Sequence, residues 1–252
     1  MRIFLSLAML LSFSVIAQDA TEYKYELEAN KAEYYIGSYK SGKGVDDLVA
    51  WYGKFDKWAQ TKGSDFDKMS VAILTPYFNS ELSTHDVMWV TNSPGPLEQF
   101  KGLQEWVTDG MPKLGKSLPV VNTQVLDTWQ WVVSSPAATE EDSLMFATYA
   151  DCSLDDGYNM RQVYDMYKDF ATFAQSQGDT LGRKLIVVEA GGQLPEGVDF
   201  VRLMYSSSVA ARGSNAALYY DKIEGSEASN NLVGFSCSNA RSYIGQSMRD
   251  YK

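Results

Sequence analysis

A chain of 252 residues with 45% hydrophobic side chains can fill one large or two small cores and is too apolar to be disordered throughout. Its 32 acidic against 22 basic residues give a formal charge of -10. That balance argues against nucleic acid and anionic lipid as partners, because both need a basic surface and no Lys/Arg cluster supplies one locally.

Residues 1–17 carry one basic residue, Arg2, then an apolar run from Ile3 broken by serines, with Val15, Ile16 and Ala17 before the polar Gln18 and Asp19. This reads as a secretory signal peptide, and a mature chain beginning near Gln18 is expected to be soluble and exported, periplasmic or extracellular. The run is too short for a membrane span, and no later stretch approaches the roughly 18 apolar residues that one needs. Gln18 in place of a cysteine gives no site for a lipid anchor at the cut.

Residues 18–33 form an N-terminal extension. Within it Tyr23, Tyr25 and Leu27 alternate with Lys24, Glu26 and Glu28, which predicts a strand with one wet face over 21–29, a short helix being the alternative. Residues 34–39 read as the first core strand, and 40–44 as a turn into a helix over 45–63. Asp46 and Asp47 sit at its N-terminus, where carboxylates meet orphan N–H groups. Strands at 69–77 and 86–91 follow as a hairpin. A second helix starts between Ser93 and Pro96, carries Leu97, Phe100, Leu103, Trp106 and Val107 at helical spacing, and stops at Asp109-Gly110. A strand over 125–133, with Trp129 and Trp131 on one face, completes a first unit of residues 34–133.

Residues 134–143, small and polar, read as a linker, after which the order begins again. A second unit, 144–238, has strands at 145–150, 184–189, 199–205 and 232–237, a helix over 159–178 and a weaker one over 208–220. In the tail, 239–252, Tyr243, Ile244 and Met248 suggest a short helix. The two long helices are copies 115 positions apart: Leu48, Trp51, Tyr52, Phe55, Trp58 and Ala59 fall on Val163, Met166, Tyr167, Phe170, Phe173 and Ala174. That spacing is one face of a helix.

Each unit therefore reads β-α-β-β-α-β, an α+β class of two tandem ferredoxin-like units with helices on one face of an antiparallel sheet. This order resembles the dimeric α/β-barrel superfamily, which includes antibiotic-biosynthesis-type monooxygenases, EthD-like and NIPSNAP-like proteins and the haem-binding chlorite dismutases. The resemblance implies an intramolecular pseudo-dimer of the two units. It covers residues 34–238 and rests on element order, without a signature motif.

Several motifs carry chemistry on their face. Residues 37–44 match the G-x-x-x-x-G-K part of a phosphate loop, but Gly44 stands where a hydroxyl residue would hold magnesium, so a strand-to-helix turn is the expected reading. Gly234-Phe-Ser236-Cys-Ser lacks the final glycine of a nucleophile elbow, and His85 precedes it, so no hydrolase triad is expected. One histidine and two distant cysteines make no zinc site, and Asp46-Asp47 and Asp155-Asp156 lack the oxygens of a calcium loop. His85 does not match the position of the chlorite dismutases' proximal ligand. No metal and no cofactor is expected.

The candidate ligand-binding residues are Tyr39, His85, Asp86, Trp89 and Arg202. His85, in an exposed turn, is the only group of its kind that titrates near neutral pH. Asp86 and Asp199 open equivalent strands, and Trp89 aligns with Arg202. Aromatic residues are concentrated in the first half, so a pocket is expected there, around Trp89, for a small apolar or aromatic ligand. Cys152 and Cys237, exposed to an oxidising compartment and placed on neighbouring strands, are expected to form a disulfide. With no acid, base, nucleophile or metal constellation evident, the expected function is a non-catalytic small-ligand-binding or interaction module of unknown protein partner. The alternative is a cofactor-independent monooxygenase-like or isomerase-like enzyme acting on a small apolar or aromatic substrate.

Overall fold

The computed structural model describes residues 23–63, 66–137 and 144–249; the expected signal segment and most of the expected linker lie outside the described residues. Period-two alternation builds eight antiparallel strands. β1 (Ala29–Tyr39), β2 (Ser70–Pro76), β3 (Val87–Ser93) and β4 (Val120–Ser134) come from the first half, and β5 (Met145–Leu154), β6 (Gly182–Ala190), β7 (Phe200–Ser206) and β8 (Phe235–Arg249) from the second. They close into a barrel in the order β1-β3-β2-β8-β5-β7-β6-β4. Each half thus contributes four consecutive staves, joined by the β2–β8 and β4–β6 seams. Closure leaves no strand edge free.

Every strand divides its side chains between the barrel interior and an outer face covered by helices. Tyr34, Leu74, Met88, Val90, Tyr149, Ile186, Leu203 and Tyr243 meet inside the barrel. On the outside, α1 (Val45–Gln60) buries Leu48, Trp51, Tyr52, Phe55, Trp58 and Ala59, all six positions picked by the spacing. α4 (Met160–Ser176) buries Val163, Tyr164, Tyr167, Phe170, Ala171 and Ala174, with Met166 and Phe173 at the edge of that core. Asn159 caps α4, accepting from the Arg161 and Gln162 amides. At α1 the N-cap is Gly44, and Asp47 reaches back to accept from its amide at 3.1 Å.

The second helix of the first half does not stop at Asp109-Gly110. α2 (Pro96–Glu105) runs into a π-helical turn, Trp106–Gly110, and then α3 (Met111–Leu114). The second half repeats the device: α5 (Val209–Leu218) leads into a π turn at Tyr219–Ile223, followed by α6 (Glu227–Asn230). Gly110 allows the first of these turns, because a Cβ there would lie 2.4 Å from the Trp106 ring and 2.7 Å from Trp58. The stripe expected to be core in α2 is also displaced: Leu97, Phe100 and Val107 are exposed, while Gln99 and Gly102 are buried.

Two further expectations are overturned by barrel closure. Residues 23–28 make no strand, since the sheet offers no edge to take one, and run instead along α4. The Lys24 amide donates to Asp165 at 2.8 Å, the Tyr25 hydroxyl to Asp169 at 2.7 Å, and the Arg161 guanidinium to the Tyr25 carbonyl at 2.6 Å. The tail is not a helix either. Residues through Arg249 extend β8, because the outer edge of β2 needs a partner for the barrel to close, and Tyr243 turns inward. Cys152 and Cys237 face each other across β5 and β8 and are joined by a disulfide.

Candidate active site

Between the outer face of the first four strands and the α1–α2 helices lies a cleft of about 570 Å³. Its wall is aromatic: Trp89 of β3 meets Phe55 edge-on at 5.5 Å and Trp51 at 5.9 Å, and Trp106 of the π turn closes on Trp51 at 6.1 Å. Buried indoles need acceptors. Trp51 Nε1 donates to the Leu114 carbonyl at 3.2 Å, and Trp58 Nε1 to Asp109 at 2.8 Å. Hydrogen bonds from Lys113, Lys62 and Trp58, in that order, hold the Asp109 carboxyl well below the usual carboxylate range. The π turn is therefore pinned where α2 would otherwise be free to lift from α1.

One end of the cleft is polar. Lys31, Glu33 and Tyr35 alternate onto the outer face of β1, with Thr91 of β3 and Asp127 of β4 beside them. Glu33 Oε2 accepts from the Tyr35 hydroxyl at 2.9 Å and from Thr91 Oγ1 at 3.3 Å, and its Oε1 accepts from Gln99 Nε2 at 3.2 Å. Gln99 Nε2 also donates to Asp127 at 2.9 Å, and Asp127 pairs with the buried Lys31 at 2.6 Å. With its nitrogen so committed, Gln99, whose side chain helps line the cleft, keeps its carbonyl oxygen buried and without a hydrogen-bond partner among the described residues. Burial, and then the neighbouring Glu33 carboxylate, push the Tyr35 phenol far up, so it stays protonated and can only donate to Glu33.

Of the residues singled out in the sequence, Trp89 lies in the cleft wall. Tyr39 and Asp86 are brought together where β1 ends and β3 begins, the Tyr39 amide donating to Asp86 at 2.9 Å. Burial first, and Asp86 second, push the Tyr39 phenol up to about 12. His85 is half-buried rather than exposed: its ring stacks on Tyr243 at 5.8 Å, with Nδ1 2.9 Å from Thr84 Oγ1 and Nε2 3.3 Å from the Tyr243 hydroxyl. Arg202 stands apart on the outer face of β7 in the second half, its Nε buried without a partner among the described residues. Glu33, Tyr35, Thr91 and Gln99 were not singled out. Glu33 was missed because the strand was expected to begin at Tyr34, whereas it runs from Ala29 to Tyr39 and so puts Glu33 and Tyr35 on one face.

No protein-family model matches the chain, and no curated protein is similar to it. Among solved structures, chlorite dismutase from Candidatus Nitrospira defluvii in complex with imidazole is 11% identical, with 89% of this chain and 93% of that chain covered at a TM-score of 0.45. An anthrone oxidase-like protein is 11% identical, with 89% of this chain and 95% of that one covered at 0.44. These neighbours belong to the dimeric α/β-barrel superfamily that the element order resembles. They are named as an enzyme and for likeness to one, whereas the expectation from the sequence was a non-catalytic binding module.

The haem that the resemblance to the chlorite dismutases implies does not fit the donor set here through imidazole or thiolate. The single histidine is on the loop before β3, engaged with Thr84 and Tyr243, and both cysteines are consumed in one disulfide. Among the described residues no group of three His, Cys, Asp or Glu side chains is arranged to hold a metal, and no helix is long and apolar enough to cross a membrane.

Proposed function

We propose that this chain is an enzyme that binds a small, flat aromatic substrate in the cleft of the first half and moves a proton on it, with Glu33 as the base. One observation carries the reading: the Glu33 carboxylate and the unpartnered Gln99 carbonyl oxygen stand side by side at the polar end of an aromatic slot. A buried acceptor left without a partner costs about 1–3 kcal/mol, which a substrate hydroxyl donating to Gln99 would recover. Tyr35 and Thr91 fix one Glu33 oxygen and Gln99 the other, so the carboxylate is oriented before a substrate arrives. The indoles of Trp51, Trp89 and Trp106 offer faces and edges to an aromatic body and keep water from the reacting atoms.

Proton abstraction from an activated C–H or O–H is the step shared by monooxygenase-like and isomerase-like chemistry on such substrates. The repeated element order and the paired π turns support reading the barrel as an intramolecular pseudo-dimer of ferredoxin-like units. The Cys152–Cys237 disulfide, with the signal-like residues 1–17, supports export to an oxidising compartment.

Anthrone is a suitable probe, being flat, aromatic and equipped with a carbonyl-activated methylene whose enol carries a hydroxyl. Binding is read by quenching of tryptophan emission and proton abstraction by deuterium exchange at the methylene. The wild-type protein should accelerate exchange over buffer, and Glu33→Gln should lower the protein-dependent rate by about 10²–10⁴-fold, the usual contribution of a general base. Exchange at the buffer rate with the wild-type protein, or an unchanged rate in E33Q, would overturn the reading.

A further inference from the structure

The barrel interior is not filled along its whole length. At the end where β1 begins and β3 finishes it opens into a cavity of about 900 Å³ with apolar walls from residues such as Val71, Leu74, Val90 and Met145. Into it turns Lys184 of β6, whose register partners Val132 and Leu203 also line the cavity. Nothing in the cleft chemistry uses this lysine.

Its surroundings are unusual for an amine. Lys184 Nζ donates to the carbonyl oxygens of two side-chain amides, Gln130 Oε1 at 2.5 Å and Asn30 Oδ1 at 3.0 Å. Both oxygens are held facing it, because Gln130 Nε2 is committed to the Tyr34 hydroxyl at 2.6 Å and Asn30 Nδ2 to the Lys31 carbonyl at 2.9 Å. Among the described residues no carboxylate lies within ion-pair distance of Lys184, and Glu28, the one carboxylate lining the cavity, is paired with Lys168 at 2.5 Å. The other titratable groups lining it are Tyr34, Tyr149, Tyr205 and Lys68.

A neutral amine has two N–H bonds, and the two amide oxygens accept both, leaving the lone pair uncommitted. An ammonium has a third N–H. Beyond the two amides, the contact seen for Lys184 among the described residues is the Tyr205 ring, with its centroid 6.0 Å away. Desolvation without a counter-charge accordingly brings Lys184 down to about 7. A larger share of such amines is neutral at pH 7 than of ordinary lysines, for which it is about one in 2,500.

We propose that Lys184 is an imine-forming residue that captures an aldehyde or ketone with an apolar body inside the barrel, at a site separate from the aromatic cleft. The Lys184 lone pair attacks the carbonyl carbon and forms a C–N bond, and the amine proton passes to the carbonyl oxygen to give a carbinolamine. The C–O bond then breaks, the oxygen leaves as water with the second amine hydrogen, and the imine remains. No electrons are gained or lost and no co-reactant is needed.

The test uses hexanal and sodium cyanoborohydride with the whole protein at pH 7, followed by intact mass and peptide mapping. One reduced adduct should form first and map to Lys184, at least tenfold faster than at any other lysine. Lys184→Arg, which keeps the length but cannot form the imine under these conditions, should abolish it, while Glu33→Gln should leave it unchanged and so separates this site from the cleft. Adducts spread over surface lysines, with Lys184 unmodified or no faster than the rest, would overturn the proposal. That comparison is internal to the wild-type protein and holds even if the Lys184 variant does not fold.

Discussion

The two helix-on-sheet layers share an order of elements but not a state of packing. In the first layer the π turn ends at Gly110, against which the rings of Trp58 and Trp106 lie, and the helix stands off the sheet over a cleft. In the second the matching turn ends at Ile223, which is fully buried against Tyr164, Tyr167 and Phe200. The strands diverge likewise. Lys31 faces Ser93 as Phe146 faces Ser206, so Glu33 corresponds to Thr148, whose hydroxyl is 3.0 Å from that of Ser242 rather than facing a cleft. Residues 23–28 then cover α4 and add Tyr25 to its core. A side-chain exchange at a few matched positions is enough to leave one layer receptive and the other sealed, because interiors are packed closely enough that one missing side chain leaves space.

The contrast is sharpened by removing the crosslink of the second layer. Replacing Cys152 and Cys237 together by serine should cost about 4.6 kcal/mol, the loop-entropy value for a crosslink spanning 85 positions, and leave anthrone quenching of the first layer intact. Chemical denaturation of both proteins measures the first, and the emission titration the second. Loss of cleft binding in the folded double variant would mean that the layers are not independent.

Smaller in effect, Ile223→Ala should cost about 2–4 kcal/mol, since the side chain is fully buried and its removal leaves a void. Leu103→Ala, at the partly exposed wall of the cleft, should cost less than about 1.5 kcal/mol, because much of its surface already faces open space. Urea midpoints of the two variants decide the matter: equal losses would contradict the division into a filled and an open layer.

The smallest expected effect is at His85, on the loop before β3 and against Tyr243. Burial is the main cause holding its imidazole below the ordinary histidine value, with Arg241 acting in the same direction and Asp86 against it. The unfolded chain therefore binds that proton more readily, so the contribution is present above about pH 6.5 and is lost as pH falls below it. Stability measured from pH 7.5 to 5.5 should decline less steeply in His85→Gln than in the wild-type protein. Parallel slopes would remove His85 from the account.

The fold was legible where a pattern recurs. The helix spacing from Leu48 to Ala59 and its copy from Val163 named both long helices, and the alternation of Met69 to Tyr77 named a strand, because burial on one face imposes a period that composition alone reveals. What failed was set by partners distant in sequence. Residues 23–28 alternate like a strand but find no edge, and Tyr243 to Met248 read as a helix until β2 requires a neighbour. The cleft was half legible. The aromatic excess around Trp89 pointed to the half that holds the aromatic cleft, whereas Glu33 and Gln99 come together only after β1 and α2 have packed, 66 positions apart. Lys184 gave no signal, since an amine between two amides is a property of the closed barrel.

The β2–β8 seam bears on how the molecule is made. A chain delivered amino end first presents β1 to β4 early, with the outer edge of β2 bare until Phe235–Arg249 arrives at the very end. Leu74 and Ile73 lie along that bare edge, beside a backbone ready to pair with any passing strand. The approach there is close enough that β8 supplies Gly245, where a Cβ would come within 2.0 Å of the Ile73 carbonyl oxygen, so few other strands could take its place at full register. A strand made after the other seven is thus the one that shields the first half from neighbouring copies, and nascent chains stopped short of residue 235 carry an adhesive edge that β8 later covers.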